Sequence, residues 1–238
     1  MLSKTQWDLV KDSDMSNIYC LRADVPFENK LVYKSGVGSE TRLCEADPTH
    51  AAEQRWLRPL RVQGPVVPHT DFEWTVYSDL IISTETARNL NEAGFTGALF
   101  FDVEFFTTTE TPFGRDSVEL RAGGWGGMAP KASGIRVIEE CTCCGRQVFS
   151  GFTDKAKLFD IDAWDGSDFF VIWPLRRFIM ITEAVAKHIW DAGYSGVKIL
   201  RPDELPMVPV KGFDGFSPGS LKSWRDEIAK LSPLAKSM

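Results

Sequence analysis

Residues 79–98 read DLIISTETARNLNEAGFTGA, and residues 178–197 read FIMITEAVAKHIWDAGYSGV. The two stretches align at a constant offset of 99 positions. Ile82 meets Ile181, Ser83 meets Thr182, Ala87 meets Ala186 and Leu90 meets Ile189. The endings Ala93-Gly94-Phe95-Thr96-Gly97 and Ala192-Gly193-Tyr194-Ser195-Gly196 also match. Leu80-Ile81-Ile82 and Phe178-Ile179-Met180-Ile181 are short apolar runs of the kind that make buried strands. Ser83 and Thr182 carry hydroxyls able to cap a helix. Glu85 and Glu183 fall in its first turn, where the dipole favours negative charge. Ala87 and Leu90, like Ala186 and Ile189, share one helix face. Gly94 and Gly193 suit the left-handed residue that ends a helix. A second strand follows each, ALFFDVEFF and VKIL. The pattern predicts an α+β fold of two related lobes, each with a strand–helix–strand unit on a mostly antiparallel or mixed sheet. Two copies a hundred residues apart argue for paired lobes over a solenoid.

Working outward, NIYCLRA and KLVYKSG read as strand pieces before the first unit. PTHAAEQRWLRPLR (48–61) predicts a short helix with Ala51, Trp56 and Leu57 near one face, and QGPVVPHTD is a Pro-rich connector. Residues 107–117 predict an exposed loop. RAGGWGGMAPKASG (121–134), with four glycines around Trp125, predicts flexible chain or tight turns. SDFFVIWPLRRFIMIT predicts two strands broken near Pro174. The tail ends in SLKSWRDEIAKLSP, a capped helix whose stripe of Leu221, Trp224, Ile228 and Leu231 suits docking on the parent domain. The expected divisions are an N-terminal lobe at 1–120, a C-terminal lobe with the CXXCG knuckle at 121–202 and a tail with a short helix at 203–238, the alternative being one compact domain.

The chain of 238 residues is 43% hydrophobic and 25% charged, enough apolar material for a sizeable core without disulfides. A formal net charge of −6 disfavours generic binding to nucleic acid or anionic membrane. The N-terminal residues lack the apolar region of a secretory signal, and no run approaches the roughly 18 apolar residues of a spanning helix. Five cysteines, three of them within four positions, fit a cytoplasmic metal site or reduced thiols better than a secreted disulfide framework.

Those three cysteines lie in IEECTCCGRQVF (138–149). Cys141 and Cys144 form C-x-x-C followed by Gly145, which is half of a zinc knuckle. A structural zinc needs four ligands. The N-terminal complement is RLCEADPTH, where Cys44 is followed by Asp47 and His50; an intact knuckle would have cysteine in place of Asp47. Zn2+ could be held by Cys44, Cys141 and Cys144 with Asp47 or His50 as fourth ligand, and Cys20 is a further candidate. The alternative is a vestigial knuckle whose turn persists without metal. Other motifs carry less. GFSPG (215–219) matches a nucleophile elbow, but it lies in a Pro/Gly tail with no histidine after it. DIDAWDGSD (160–168) resembles a calcium loop with the spacing broken by Trp164. Asp160, Asp162, Asp165 and Asp168 then predict a solvated acidic turn able to meet a basic partner. The three histidines form no metal pair at helical spacing, and the clusters Arg55/Arg58/Arg61 and Arg176/Arg177 are too short for a nucleic-acid groove. Nothing assembles a nucleophile, a base and an oxyanion site, so the expectation is a protein that is not an enzyme.

Taken together, these residues resemble the double-CXXCG motif family, whose members include immunity proteins that protect a cell from a sibling's contact-delivered toxin. The resemblance rests on CTCCGR at 141–146, on the stretch from Asp168 to Leu200, and on DLIISTETARNLNEAGFTGA placed before a strand. It covers residues from about 30 to 205. The family has two CXXCG motifs; here CEADP stands where the first would be. The resemblance implies a cytoplasmic immunity protein that neutralises a cognate toxin by stoichiometric contact. Its expected anchors are Trp125, Trp164 and Phe113, each equally explained as core, with Asp162 and Asp165 steering a basic toxin domain. The alternative is a zinc-knuckle enzyme or nucleic-acid-associated factor, which predicts a cleft with perturbed acids.

Overall fold

A computed structural model describes residues 17–24, 26–34, 39–56, 58–68, 70–205 and 221–231. Leu57, His69 and the GFSPG stretch lie outside them. The repeated stretches form the units their pattern predicts. The first is β7 (Leu80–Ser83), α1 (Thr84–Glu92) and β8 (Ala98–Phe106). The second is β15 (Ile179–Thr182), α2 (Glu183–Asp191) and β16 (Val197–Leu200). Ser83 Oγ accepts the Thr86 amide at 3.0 Å and caps α1. The Thr182 hydroxyl makes no cap and donates to Asp168 Oδ1 at 2.9 Å. Each helix buries the face read from its spacing: Thr86, Ala87 and Leu90 in α1, Val185, Ala186 and Ile189 in α2.

In each unit one antiparallel strand separates the two outer ones. β10 (Ser117–Ala122) lies between β7 and β8, and β1 (Ile18–Ala23) lies between β15 and β16. The registers correspond at the same offset. Ser117 opposes Ser83 and Leu120 opposes Phe100; Ile18 opposes Thr182 and Leu21 opposes Ile199. β6 (Phe72–Trp74) flanks β7, and β14 (Phe169–Trp173) flanks β15, with Phe72 opposite Ile82 and Phe169 opposite Ile181. The order β6-β7-β10-β8 thus recurs as β14-β15-β1-β16. Only the connectivity differs. The inner strand of the first unit follows β8 in the chain, whereas that of the second comes from near the N-terminus. β1, which the sequence reading groups with the N-terminal lobe, is therefore built into the sheet of the other half.

β11 (Gly124–Met128) runs parallel to β14 and completes a five-stranded sheet. The first unit is extended past β8 by β5 (Leu60–Gln63) and β2 (Val32–Tyr33), with β9 (Pro112–Phe113) also paired to β8. Two hairpins stand apart, β3 (Ser39–Leu43) with β4 (Ala51–Trp56), and β12 (Val137–Glu140) with β13 (Gln147–Phe149). Two local expectations fail here. The helix read at 48–61 is β4 and the start of β5, because the Asp47 carboxylate accepts the Thr49 amide at 3.0 Å and closes a turn that pairs β4 with β3. The glycine-rich turns read at 121–134 include strand β11. A side chain at Gly124 would overlap Ser167, and one at Gly126 the Phe170 ring, so these glycines permit close pairing with β14.

Buried residues of both units, among them Trp74, Leu80, Phe100, Phe169 and Ile181, form one continuous core. Ile81 points to the opposite face of its sheet, into a smaller cluster with Leu31, Val62 and Phe105. The tail helix α3 (Leu221–Leu231) buries Trp224 against Trp125 and Trp173, at ring separations of 5.4 and 6.2 Å, and packs Leu221 and Ile228 on the main core.

The two units are cross-clasped. The Thr96 amide and hydroxyl donate to Asp168 Oδ2 at 2.9 and 3.0 Å, and the amides of Asp168 and Phe169 return bonds to Thr96. The Ser195 amide and hydroxyl donate to Asp71 Oδ2 at 2.8 and 2.6 Å, and Asp71 and Phe72 return the same pair. Gly97 and Gly196 follow with φ of +79° and +81°. A Cβ on Gly97 would overlap the Phe169 carbonyl, and one on Gly196 the Phe72 carbonyl. The ending A-G-x-[ST]-G is thus a clasp, in which each unit holds the first residues of the other's flanking strand. Among the described residues no helix is long and apolar enough to cross a membrane.

Candidate metal centre

The two separate hairpins bring the cysteines together. Cys44 directly follows β3 and His50 directly precedes β4; Cys141 follows β12 and Cys144 lies in the same turn. The Cys44 amide bonds the His50 carbonyl at 3.1 Å, and in the second turn the Gly145 amide bonds the Cys141 carbonyl at 2.8 Å. One ligand atom from each of Cys44, His50, Cys141 and Cys144 lies within 4.8 Å of all the others. Cys44 Sγ is 3.7 Å from Cys141 Sγ, and His50 Nε2 is 3.4 Å from Cys144 Sγ. Three thiols and one imidazole so placed could hold a metal ion, and among the described residues this is the one such group.

The fourth position falls to His50. Asp47 stands behind it, with Oδ2 3.3 Å from His50 Nδ1. A proton on Nδ1 shared with Asp47 leaves the Nε2 lone pair facing the thiols, as when a carboxylate orients a metal-binding imidazole. Asp47 is itself fixed by Thr49, whose hydroxyl donates to Oδ1 at 2.6 Å. These bonds from Thr49, chiefly, and the contact with His50 hold the Asp47 carboxyl below its ordinary pKa. Cys143 is exposed and does not join the group, while Cys20 is fully buried in β1, where burial pushes its thiol up to about 12.

The thiols themselves are divided. Burial raises Cys44, but amide hydrogen bonds from Asp47 and Ala46, with the neighbouring thiols, bring it below the ordinary thiol value. Cys141 is lowered, mainly by the amides of Cys144 and Cys143. Cys144 is raised, first by burial and then by the other two thiols. Thiols this close cannot all ionise without a cation between them. A divalent ion removes that conflict, and four protein ligands close a tetrahedron with no position left for a substrate.

The other sequence-predicted residues lie elsewhere. Trp125, half-buried on β11, stacks on Trp224 and has the Arg225 guanidinium 4.7 Å above its ring. Trp164 is half-buried against Phe159 and Phe170. Phe113 packs on Phe105 at 5.9 Å. Asp165 accepts the Trp125 amide at 2.8 Å and Asp160 the Asp162 amide at 3.1 Å, so these acids organise their own turn; Asp162 is exposed. Sequence reasoning missed Trp190, which is 78% exposed on α2. It falls off the α2 stripe of Val185, Ala186 and Ile189, and that position was its available signal.

A second chemically loaded place is a cavity of about 460 Å³ where the two units meet under α3. Arg58, Arg121, Arg176, Arg177, Asp79, Glu119 and Glu227 line it. Arg58 pairs with Glu119 at 2.8 Å and Arg121 with Glu227 at 2.7 Å. Glu119 is wholly buried, and that burial pushes its carboxyl up to about 7 against the pull of Arg58 and Arg121. The sequence scattered these groups over 170 positions and gave no signal of their convergence. Compared with known proteins, the chain matches no family model and no curated protein.

Proposed function

We propose that this chain is a zinc-stapled, cytoplasmic immunity protein that neutralises a cognate bacterial toxin by stoichiometric contact. The observation that carries the reading is the closed thiol–imidazole group at the CXXCG turn. It gives the degenerate first knuckle a working counterpart, with His50 in the role of the missing cysteine. A closed four-ligand set suits a structural ion, which staples two hairpins and leaves the chemistry to surface contact. The half-buried Trp125 and Trp164, the acids Asp162 and Asp165, and the exposed Trp190 offer aromatic anchors beside negative charge for a basic toxin domain. The test is co-expression with a polymorphic toxin encoded beside this gene. A 1:1 complex that abolishes toxicity, with one zinc per chain by elemental analysis, is expected; no complex with that toxin overturns the reading.

A second reading, an enzyme, is favoured by one observation. Glu119, titrating near neutrality in a cavity of substrate size, has the properties of a general acid or base. Turnover by the isolated protein, abolished by Glu119→Gln, would establish it.

A further inference from the structure

The cavity between the units is built unlike a structural ion-pair network. Four guanidiniums line it against three carboxylates. Asp79 is already engaged by the Tyr33 hydroxyl and by the Thr75 hydroxyl at 3.0 Å. Glu119 gives one oxygen to Arg58, and its other oxygen, fully buried, has no hydrogen-bond partner. Arg58 Nε and Nη1 are likewise buried without a partner. Buried polar atoms are nearly always satisfied, so unpartnered donors beside a void mark a place made for something else. Glu227 reaches in from α3 to Arg121, which supplies an anion from within the chain. Leu80, Leu120, Val171 and Ile179 give the walls an apolar part, with the Trp224 ring beside them. The turn leading into the cavity holds Ser78 at φ +72°, a conformation a non-glycine residue adopts only where its surroundings enforce it.

We propose that this cavity binds a small organic oxyanion, with a carboxylate or phosphate end among Arg58, Arg121 and Arg176 and an apolar body against Trp224, Val171 and Ile179. The volume lies within the range of small-molecule sites, and a planar guanidinium fork is suited to either anionic end. Glu227 competes for the same guanidiniums. Burial in the cavity wall lowers the Arg176 and Arg177 pKa values, because a guanidinium away from water is harder to keep charged. The site shares no residue with the metal centre.

The experiment is calorimetric titration of the full, metal-loaded chain with phenyl phosphate, phenylacetate and neutral benzyl alcohol at fixed ionic strength. Both anions are expected to bind once per chain, with benzyl alcohol at least about tenfold weaker. The tighter anion identifies the end group. Glu227→Gln should tighten anion binding by about tenfold and Arg176→Gln should weaken it by about tenfold. Near-UV circular dichroism verifies the fold of each variant, and Arg176→Gln with the wild type carries the test if Glu227→Gln does not fold. Absence of saturable anion binding, equal binding of benzyl alcohol, or binding indifferent to the folded variants overturns the proposal.

Discussion

His50 and Asp47 show how a candidate ligand set can be completed by an imidazole. The imidazole reaches further from its backbone than a cysteine sulfur, so it meets Cys144 from a position three residues beyond the one a second cysteine would occupy. Asp47, three residues before it, is placed to orient the imidazole. The consequence is graded. Cys141→Ser should abolish stable metal binding, and Cys143→Ser should leave it intact, since Cys143 stands outside the group. Asp47→Ala should weaken affinity by about 10–100-fold while retaining the ligand set. Cobalt substitution reads all three at once: the thiolate charge-transfer and tetrahedral d–d bands vanish in the first, persist in the second, and persist with a weaker dissociation constant in the third.

Among elements, the clasps determine how the two units meet. Each aspartate collects an amide and a hydroxyl, so Asp71→Ala and Asp168→Ala should each cost about 2 kcal/mol in urea unfolding. Asp168→Ala should cost more, because it also frees the Thr182 hydroxyl. The strand–helix–strand units themselves were legible, since strand, cap, helix face and terminating glycine are all local signals. The clasp was half legible. The ending A-G-x-[ST]-G is visible in both copies, but its partners, Thr70-Asp71-Phe72 and Ser167-Asp168-Phe169, lie outside the aligned stretch. β4 and β11 were misread for opposite reasons. Residues 51–56 favour a helix locally and are overridden by pairing with β3, while β11 looks like a turn because its glycines answer to a neighbouring strand. Of the candidate metal site, Cys141 and Cys144 were legible from C-x-x-C spacing and Cys44 from the complementary stretch RLCEADPTH, whereas the choice of His50 over Asp47 needed the hairpin's geometry.

Across the whole molecule, buried charge gathers where the two units meet under α3. Glu119 there faces Arg58, Arg121, Asp79 and Glu227. Its folded pKa stands near 7, above the ordinary 4.5, so the folded protein keeps this proton while the unfolded chain releases it. The stabilising difference is complete below pH 4.5 and is lost as pH rises toward 7. Urea unfolding of wild type and Glu119→Gln at pH 5 and pH 8 should therefore show the wild type losing on the order of 2–3 kcal/mol relative to the variant. An unchanged gap would place the proton elsewhere. The placement of β1 has a consequence in time. Once a ribosome has released this strand, its neighbours β15 and β16 emerge only after more than 150 further residues, roughly ten to thirty seconds later at ordinary synthesis rates. Throughout that interval an apolar segment bearing Ile18, Cys20 and Leu21 waits unpaired, so the nascent chain is exposed to aggregation, and open to chaperone capture, at this segment.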